Sequence, residues 1–295
     1  MAICEGYRML KKLKIVMDMV KIEHTLFALP FAFMGAFLAA RGLPRSAQIG
    51  WILLAMVGAR SAAMAFNRLV DLPFDARNPR TSNRALPKNL VSRGFVAAFI
   101  VASSAVFIVA ASQLNLLSLE LSPLALGIIF IYSYTKRFTW LTHLFLGVSL
   151  ACAPIGAWIA VKGSIASTPL ILGLAVVLWV AGFDVIYSCQ DVGFDKGEPI
   201  HSIPKRYGVG AALWLSAVLH LTMLIVLVFL FWKEGLGTIS FMGLTIVGLL
   251  LAYEHSLVRP TDLSRANTAF FTINGCISIL LFATTMIDLL RNGTK

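Results

Sequence analysis

Apolar runs long enough to cross a lipid bilayer occupy most of this chain. A membrane-spanning helix needs about 20 apolar residues, and nine segments approach or reach that length. Backbone polar groups inside lipid must be bonded within their own segment, so these runs predict helices. The connections are too short for a separate soluble domain. The predicted spans are roughly residues 22–40, 48–66, 94–113, 118–134, 141–161, 168–190, 210–232, 236–254 and 268–290.

Composition supports this interpretation. Hydrophobic residues make up 58% of the chain and charged residues only 13%, which excludes an ordinary soluble domain. We therefore predict an all-α, polytopic membrane protein in which residues 1–295 form a single transmembrane domain.

The formal net charge of +11 follows the predicted membrane topology. Eighteen of the 25 Lys and Arg residues lie in the N-terminal arm or in the loops after the second, fourth, sixth and eighth spans. The positive-inside rule puts that side in the cytoplasm, and this distribution argues against a nucleic-acid partner. Residues 1–21 are predicted to form an amphipathic arm on the cytoplasmic membrane surface.

One of these basic loops follows an unusual group of polar residues at the end of the second span. The stretch "NRLVDLPFDARNPRTSNRALP" places Asn67, Asp71 and Asp75 four residues apart. This spacing puts Asn67 and Asp71 on one helical face, with Arg60 two turns deeper on the same face. We expect Pro73 to break or distort the helix, so that Asp75 reaches back from the loop.

A matching acidic stretch ends the sixth span, in "FDVIYSCQDVGFDK" (183–196). Asp191 follows Asp71 by 120 residues, and Asp195 follows Asp75 by 120. This offset predicts a tandem repeat of two four-helix units plus a ninth helix. Because the second and sixth helices are equivalent under the repeat, their acidic ends are predicted to face each other across a central cavity.

Carboxylates in two opposed groups are hard oxygen ligands, which suit Mg²⁺. Mg²⁺ typically binds through one or two carboxylates plus substrate phosphates, and neighbouring cations would hold the same phosphates. The alternative is that helix-end charges are solvated boundary residues, but two groups in register with the repeat favour a metal–diphosphate site. The candidate phosphate-binding cations are Arg77, Arg80, Arg84, Lys136, Arg137 and Lys196.

Arg60 is a separate case because it lies inside a predicted span. Central placement of Arg in a bilayer costs about 2.5–3.5 kcal/mol on insertion scales, so it needs a partner or a polar cavity. The four cysteines are scattered, without C-x-x-C spacing, and predict neither metal binding nor a disulfide.

Three motifs carry a family resemblance. The stretches "RSAAMAFNRLVDLPFDARNPRTSNRALP", "YSYTKRFTWLTHLFLG" and "FDVIYSCQDVGFD" resemble the UbiA superfamily of intramembrane prenyltransferases, and most of all its 4-hydroxybenzoate polyprenyltransferases. The resemblance implies a nine-helix ring around a central cavity that opens to lipid at one side. It also implies an enzyme of the bacterial inner membrane with its active-site loops in the cytoplasm.

The resemblance implies roles for individual residues as well. Asp71, Asp75, Asp191 and Asp195 would be the catalytic carboxylates, and together with Asn67 they would hold Mg²⁺ and diphosphate. Arg80, Arg84, Lys136 and Lys21 match diphosphate-holding positions, and Arg60 matches a position that contacts an aromatic acceptor acid. Asp184 and Tyr187 are placed on the acceptor side, and Phe66, Phe183 and Tyr187 are candidates for lining an apolar pocket.

The expected reaction is Mg²⁺-dependent transfer of a polyprenyl group from its diphosphate to an aromatic hydroxy acid in quinone biosynthesis, with ubiquinone as the expected product class. The segment "EHTLFALPFAF" also resembles family members that prenylate a dihydroxynaphthoate on a menaquinone route, which keeps that acceptor open. A secondary transporter is the distant alternative, since such proteins also contain repeats and intramembrane acids. Its carboxylates would lie near the membrane midplane, however, and those of this chain lie at helix ends. The sequence predicts no particular protein partner.

Overall fold

Nine long helices account for most of the structure, a computed structural model that describes Ile15 and residues 25–292. Lys21 and nearly all of the predicted arm, 1–21, lie outside the described residues. The part of the chain that is described is helical and forms no β-strand. The long helices are α1 (Thr25–Ala40), α2 (Ser46–Asp75), α3 (Arg93–Ser112), α4 (Leu116–Thr135), α5 (Thr142–Lys162), α6 (Ser167–Ser188), α7 (Val209–Lys233), α8 (Thr238–Ser256) and α9 (Asn274–Asn292).

Eight helices in the described ranges are long and apolar enough to cross a membrane. The protein is therefore an integral membrane protein of the predicted all-α class. The remaining long helix, α1, has 16 described residues, which reach about 24 Å at the usual helical rise. That is shorter than a hydrocarbon core of about 30 Å. The described residues thus establish eight candidate spans rather than the predicted nine.

The second helix is longer than predicted and contains the whole first motif. It runs for 30 residues and includes Pro73, so the expectation that Pro73 breaks it is wrong. Proline removes one hydrogen bond of the helical ladder, but the ladder resumes at once, because the Ala76 N–H donates to the Leu72 carbonyl at 3.1 Å. Asp75 is consequently a helical residue, on the same face as Asp71.

The second motif does not continue its helix in the same regular way. After α6 ends at Ser188, Cys189–Asp191 form a 3₁₀ turn and Val192–Asp195 a short helix. A 3₁₀ segment next to an α-helix tightens the chain locally. The two motifs therefore match in sequence offset but differ in backbone conformation.

The loops after α2, α4 and α6 meet at one end of the bundle. Arg77 forms an ion pair with Glu198 at 2.7 Å, and the His201 N–H donates to the Lys136 carbonyl at 2.6 Å. At the opposite end, Arg41 pairs with Glu234 at 2.7 Å. The two acidic motifs therefore lie at the same end of the bundle, as the repeat predicts.

The main apolar core surrounds α6. Trp179 is fully buried there and packs against Phe31 and Phe183, with ring centroids 4.8 and 5.0 Å away. The fifth helix lies very close to α6 at Gly147, where an added Cβ would stand 2.5 Å from the Val177 carbonyl oxygen. Only glycine permits this separation, which brings the first half of α5 against the middle of α6.

Candidate active site

The first carboxylate of the site is Asp71, which is 5% exposed. Its Oδ2 accepts hydrogen bonds from Lys136 Nζ at 2.7 Å and from Asn67 Nδ2 at 3.1 Å. Its Oδ1 is buried and has no hydrogen-bond partner among the described residues. A buried carboxylate oxygen without a partner is costly, so this atom is a free ligand position inside the site.

Asp75 lies one turn further along α2 and is also buried. Arg84, in the loop after α2, donates from Nη1 to both Asp75 oxygens at 2.8 and 2.7 Å. The hydroxyl of Thr81 donates to the Asp75 carbonyl at 3.0 Å. These contacts fold the basic loop back over the end of the helix that carries the acids.

The same loop reaches the second motif through Arg80. Its Nε and Nη2 donate to the two oxygens of Asp191 at 2.9 and 2.5 Å, and its Nη1 donates to the Tyr187 hydroxyl at 2.7 Å. Asn78 adds a bond from Nδ2 to Asp191 Oδ1 at 3.4 Å. Burial disfavours the charge of Arg80, but hydrogen bonding to Asp191 and its negative charge outweigh this and raise the pKa of Arg80.

Lys136 completes the connection between the two motifs. It caps the end of α4 and, besides its ion pair with Asp71, interacts electrostatically with Asp195. Asp195 is buried and accepts a hydrogen bond from the Ser202 hydroxyl at 3.3 Å. The structure thus brings Asp71, Asp75, Asp191 and Asp195 to one site with three cations among them.

The remaining predicted cations make other contacts. Arg77 pairs with Glu198, whereas Arg137 donates to the Val70 carbonyl at 2.8 Å. Lys196 is exposed. Arg80, Arg84 and Lys136 are therefore the three predicted phosphate-binding cations that the structure places directly on the acidic motifs.

A cavity of about 230 Å³ begins beside the first motif and continues into the bundle between α1, α2, α3, α4 and α5. Asn67 and Tyr132 line it close to the acidic site, and Arg60 lines it two turns deeper. Most of the other lining residues are small or apolar. Arg60 makes no ion pair or hydrogen bond with the described residues, and its Nε is fully enclosed.

The structure separates the predicted acceptor residues into different surroundings. Arg60 lines the cavity, whereas Asp184 lies on α6 and hydrogen bonds His143 at 2.7 Å. Tyr187 is held by Arg80 and packs on Phe270, with ring centroids 4.2 Å apart. Asp184 and Tyr187 are not among the residues that line the cavity.

The aromatic residues expected to line an apolar pocket pack against other rings instead. Phe66 lies against Phe130 with ring centroids 4.4 Å apart, and Phe183 lies against Phe270 at 5.1 Å. Neither lines the cavity. Tyr187 likewise packs on Phe270 outside this cavity, so aromatic pairs in the bundle satisfy all three side chains.

Three residues of the site were not predicted from the sequence. Asn78 bonds Asp191, Glu198 holds Arg77, and His143 holds Asp184. Asn78 lies within the first motif, where its side-chain amide is the feature that could have indicated a role in the site. The partners of Glu198 and His143 depend on contacts across 121 and 41 residues of sequence, which spacing does not reveal.

The donor set fits a divalent cation of the magnesium type. Within the described residues, no three His, Cys, Asp or Glu side chains converge as a preformed metal cluster. Mg²⁺ does not require one, because it is usually held by one or two carboxylates together with substrate phosphates and water. The buried Oδ1 of Asp71 and the carboxylate of Asp191 supply such ligands from opposite halves of the chain.

Comparison with known proteins assigns the chain to a family. A model of the UbiA prenyltransferase family matches residues 28–276. The chain belongs to the UbiA prenyltransferase family. This confirms the resemblance that the motifs indicated, and it identifies an enzyme, a prenyltransferase, rather than a transporter.

Individual relatives agree with this assignment. The prenyltransferase is 31% identical to a 4-hydroxybenzoate octaprenyltransferase of Vibrio atlanticus over 238 residues, which cover 80% of this chain and 83% of that protein. It is similar to the apo structure of a UbiA homolog from Aeropyrum pernix K1, with a TM-score of 0.83, 35% identity and coverage of 91% and 99%.

A more distant structure shows the same fold. It is a UbiA homolog from Archaeoglobus fulgidus bound to DMAPP and Mg²⁺, with a TM-score of 0.72 and 18% identity. The match covers 94% of this prenyltransferase and 99% of that chain.

Proposed function

We propose that this prenyltransferase transfers a polyprenyl group from a prenyl diphosphate to an aromatic hydroxy acid of the 4-hydroxybenzoate type, in a Mg²⁺-dependent step of quinone biosynthesis. The observation that carries the proposal is that a charged cluster and an apolar cavity lie side by side. A cluster of acids and cations lies at the end of the bundle, and beside it opens an apolar cavity with one arginine that has no partner among the described residues. The name of the Vibrio relative supports the same acceptor.

The cluster suits a magnesium diphosphate. Asp71 and Asp191 are the carboxylates that would hold the metal, with Asn67, Asp75 and Asp195 around them. Arg80, Arg84 and Lys136 now neutralise these carboxylates and would turn to phosphate oxygens when the donor binds. Bound Mg²⁺ supplies charge neutralisation of the leaving diphosphate.

The cations of the chain would also stabilise the leaving diphosphate. Guanidinium and ammonium groups fixed near the diphosphate stabilise the charge that develops as the allylic C–O bond weakens. Arg80 is suited to this role, because its planar fork can bind two oxygens at once, as it does on Asp191. Its charge is already compensated before the donor arrives.

The cavity suits the aromatic acceptor. Asn67 and Arg60 are seven residues apart on α2, which corresponds to roughly 10 Å along a helix. One aromatic acid can bridge that distance with its carboxylate on Arg60 and its ring facing the donor. Arg60 makes no ion pair with the described residues and its Nε is enclosed, so a carboxylate would supply the missing charge.

The lining explains how the reactive carbon is protected. Small and apolar residues, including Ala59, Ala63 and Ile129, surround the cavity and exclude water. The electron-rich ring forms the new C–C bond, the diphosphate leaves with the C–O electron pair, and the ring then loses a proton. A polyprenyl chain is far larger than 230 Å³, so its tail would extend into lipid.

The arrangement also supports a location in the bacterial cytoplasmic membrane. The loops that carry the acids and cations contain the largest group of basic residues, and basic loops remain cytoplasmic. We propose that the active site faces the cytoplasm, where a soluble aromatic acid can reach it.

A direct assay tests the function. Purified protein is supplied with Mg²⁺, a polyprenyl diphosphate and one aromatic compound at a time, and products are identified by mass. We expect 4-hydroxybenzoate to be prenylated, while its methyl ester, which lacks the carboxylate, reacts poorly. If a dihydroxynaphthoate is prenylated faster than 4-hydroxybenzoate, the acceptor is the naphthoate of the menaquinone alternative. Equal use of acid and ester would refute a carboxylate-binding cavity.

Replacing Arg80 with Gln tests the donor side. We expect the donor KM to rise about tenfold or more, the usual effect of losing a charged hydrogen bond, with the acceptor KM unchanged. The matched control is Arg93→Gln, an exposed arginine at the start of α3, just after the same loop, which should leave both KM values unaltered. An unchanged donor KM in Arg80→Gln would contradict phosphate binding by this residue.

A further inference from the structure

His143 is a buried histidine with both ring nitrogens engaged. It is the second residue of α5 and is 2% exposed. Its Nδ1 lies 2.7 Å from Asp184 Oδ2 on α6, and its Nε2 lies 3.4 Å from the backbone nitrogen of Ile203. The imidazole thus joins two segments that are distant in sequence.

These contacts fix the tautomer of the imidazole. The backbone N–H of Ile203 is a donor only, so Nε2 must present its lone pair. Nδ1 then carries the proton and donates it to Asp184 Oδ2. The histidine is neutral in this arrangement and can hold the carboxylate in one orientation.

The helices that carry His143 and Asp184 are in close backbone contact. One turn after His143, Gly147 lets α5 approach the backbone of α6 too closely for any other residue. This packing brings the start of α5 near the helix that carries Asp184.

The second oxygen of Asp184 remains available. Among the described residues, Oδ1 has no hydrogen-bond partner, and the side chain retains 21% exposure. Asp184 does not itself line the cavity, but it interacts electrostatically with Tyr132, which does. The free oxygen is therefore close to the part of the cavity wall that Tyr132 forms, next to the acidic cluster.

The segment on the other side of the imidazole, residues 201–203, contacts the second motif. Ser202, adjacent to Ile203, donates its hydroxyl to Asp195 at 3.3 Å, and the His201 N–H donates to the Lys136 carbonyl. The segment that contacts His143 thus also contacts a proposed metal ligand and a proposed phosphate-binding cation.

From these contacts we infer that His143 is a positioning residue for the acceptor. It holds Asp184 so that the free oxygen accepts a hydrogen bond from the ring hydroxyl of the aromatic acid, and it links that carboxylate to the 201–203 segment of the donor site. This inference rests on the proposed function. A hydrogen bond to the hydroxyl makes the ring more electron-rich, which favours attack on the allylic carbon.

Three substitutions separate the two bonds of the imidazole. In His143→Asn the side-chain amide nitrogen occupies the place of Nδ1 and can still donate to Asp184. In His143→Gln the amide occupies the place of Nε2 and can still accept from Ile203. His143→Leu keeps a similar bulk and loses both bonds.

We expect His143→Leu and His143→Gln to raise the acceptor KM about tenfold, the usual effect of losing a hydrogen bond to a charged group. The donor KM should change by less than about twofold. His143→Asn should restore most of the acceptor affinity. Combined with Asp184→Asn, His143→Leu should cause no further rise in acceptor KM, since both changes remove one interaction.

The controls separate this inference from the proposed function. Arg265→Gln changes an exposed residue in the loop after α8 and should leave the kinetics unaltered. If Asp184→Asn itself leaves the acceptor KM unchanged, the acceptor role of this carboxylate fails. If Asp184→Asn raises it while all three His143 variants behave as wild type, only the positioning role is overturned. An equal rise of both KM values in His143→Asn and His143→Gln would indicate a merely structural histidine and would also overturn it.

Discussion

Asp71→Asn and Asp191→Asn should each lower the rate of prenyl transfer by about 10²–10³-fold, the usual effect of losing one preorganised charged group at a reacting centre. Each substitution removes a carboxylate from one half of the site. Asp71 contributes a buried oxygen that has no hydrogen-bond partner in the described part of the chain, and Asp191 contributes the two oxygens that Arg80 now binds. The measurement is product formation at saturating donor and acceptor over a range of Mg²⁺ concentrations.

A second readout does not depend on turnover. Inorganic pyrophosphate with Mg²⁺ should raise the Tm of the wild-type protein in detergent, because a ligand that binds only the folded state stabilises it. The two Asn variants should fold but show little of this increase. Asp262→Asn is the matched control, since Asp262 is an exposed carboxylate in the loop after α8. Wild-type rates and Tm shifts in either variant would remove the argument for a metal site.

Arg60→Leu should raise the KM for the aromatic acid by roughly 10–150-fold, which corresponds to about 1.5–3 kcal/mol for a charged hydrogen bond. The donor KM should remain near its wild-type value. The methyl ester of the acceptor is the matched control substrate. Wild type and variant should use it equally poorly, because neither can form the ion pair with it.

Stability provides an independent check on Arg60. An arginine within a membrane span is unfavourable when it lacks a partner, and Arg60 has none among the described residues. Arg60→Leu should therefore raise the Tm while it lowers acceptor affinity, a common exchange of stability for function. A fall in Tm with an unchanged acceptor KM would mean that Arg60 serves the fold instead.

Much of the architecture could be predicted from sequence because membrane helices are specified locally. An apolar run must satisfy its own backbone bonds in lipid, so the predicted spans agree with the observed long helices to within a few residues at most ends. The largest error is at the end of α2, where low hydropathy after residue 66 and Pro73 suggested an early end. Hydrogen bonds made after the proline extend the helix to Asp75.

The members of the acidic cluster could also be predicted from the sequence, since the repeat relates Asp71 to Asp191 and the basic loop follows directly. The sequence did not predict which cation binds which acid. Arg80 crosses to the second motif while Arg84 stays with the first, and nothing in the spacing distinguishes these two residues. The path of the loop after α2 determines which acid each arginine reaches.

The sequence by itself determined the helical membrane class, the family and the two acidic motifs, because apolar length and residue spacing are properties of a local stretch of chain. Only the tertiary structure decided that the cavity reaches Arg60 and that no described residue pairs with it. It also decided that Phe66, Phe183 and Tyr187 pack against other rings and that His143 holds Asp184. Those features depend on how helices distant in sequence approach one another. Packing sets that approach, and glycines such as Gly35 on α1 and Gly147 on α5 permit its closest backbone contacts.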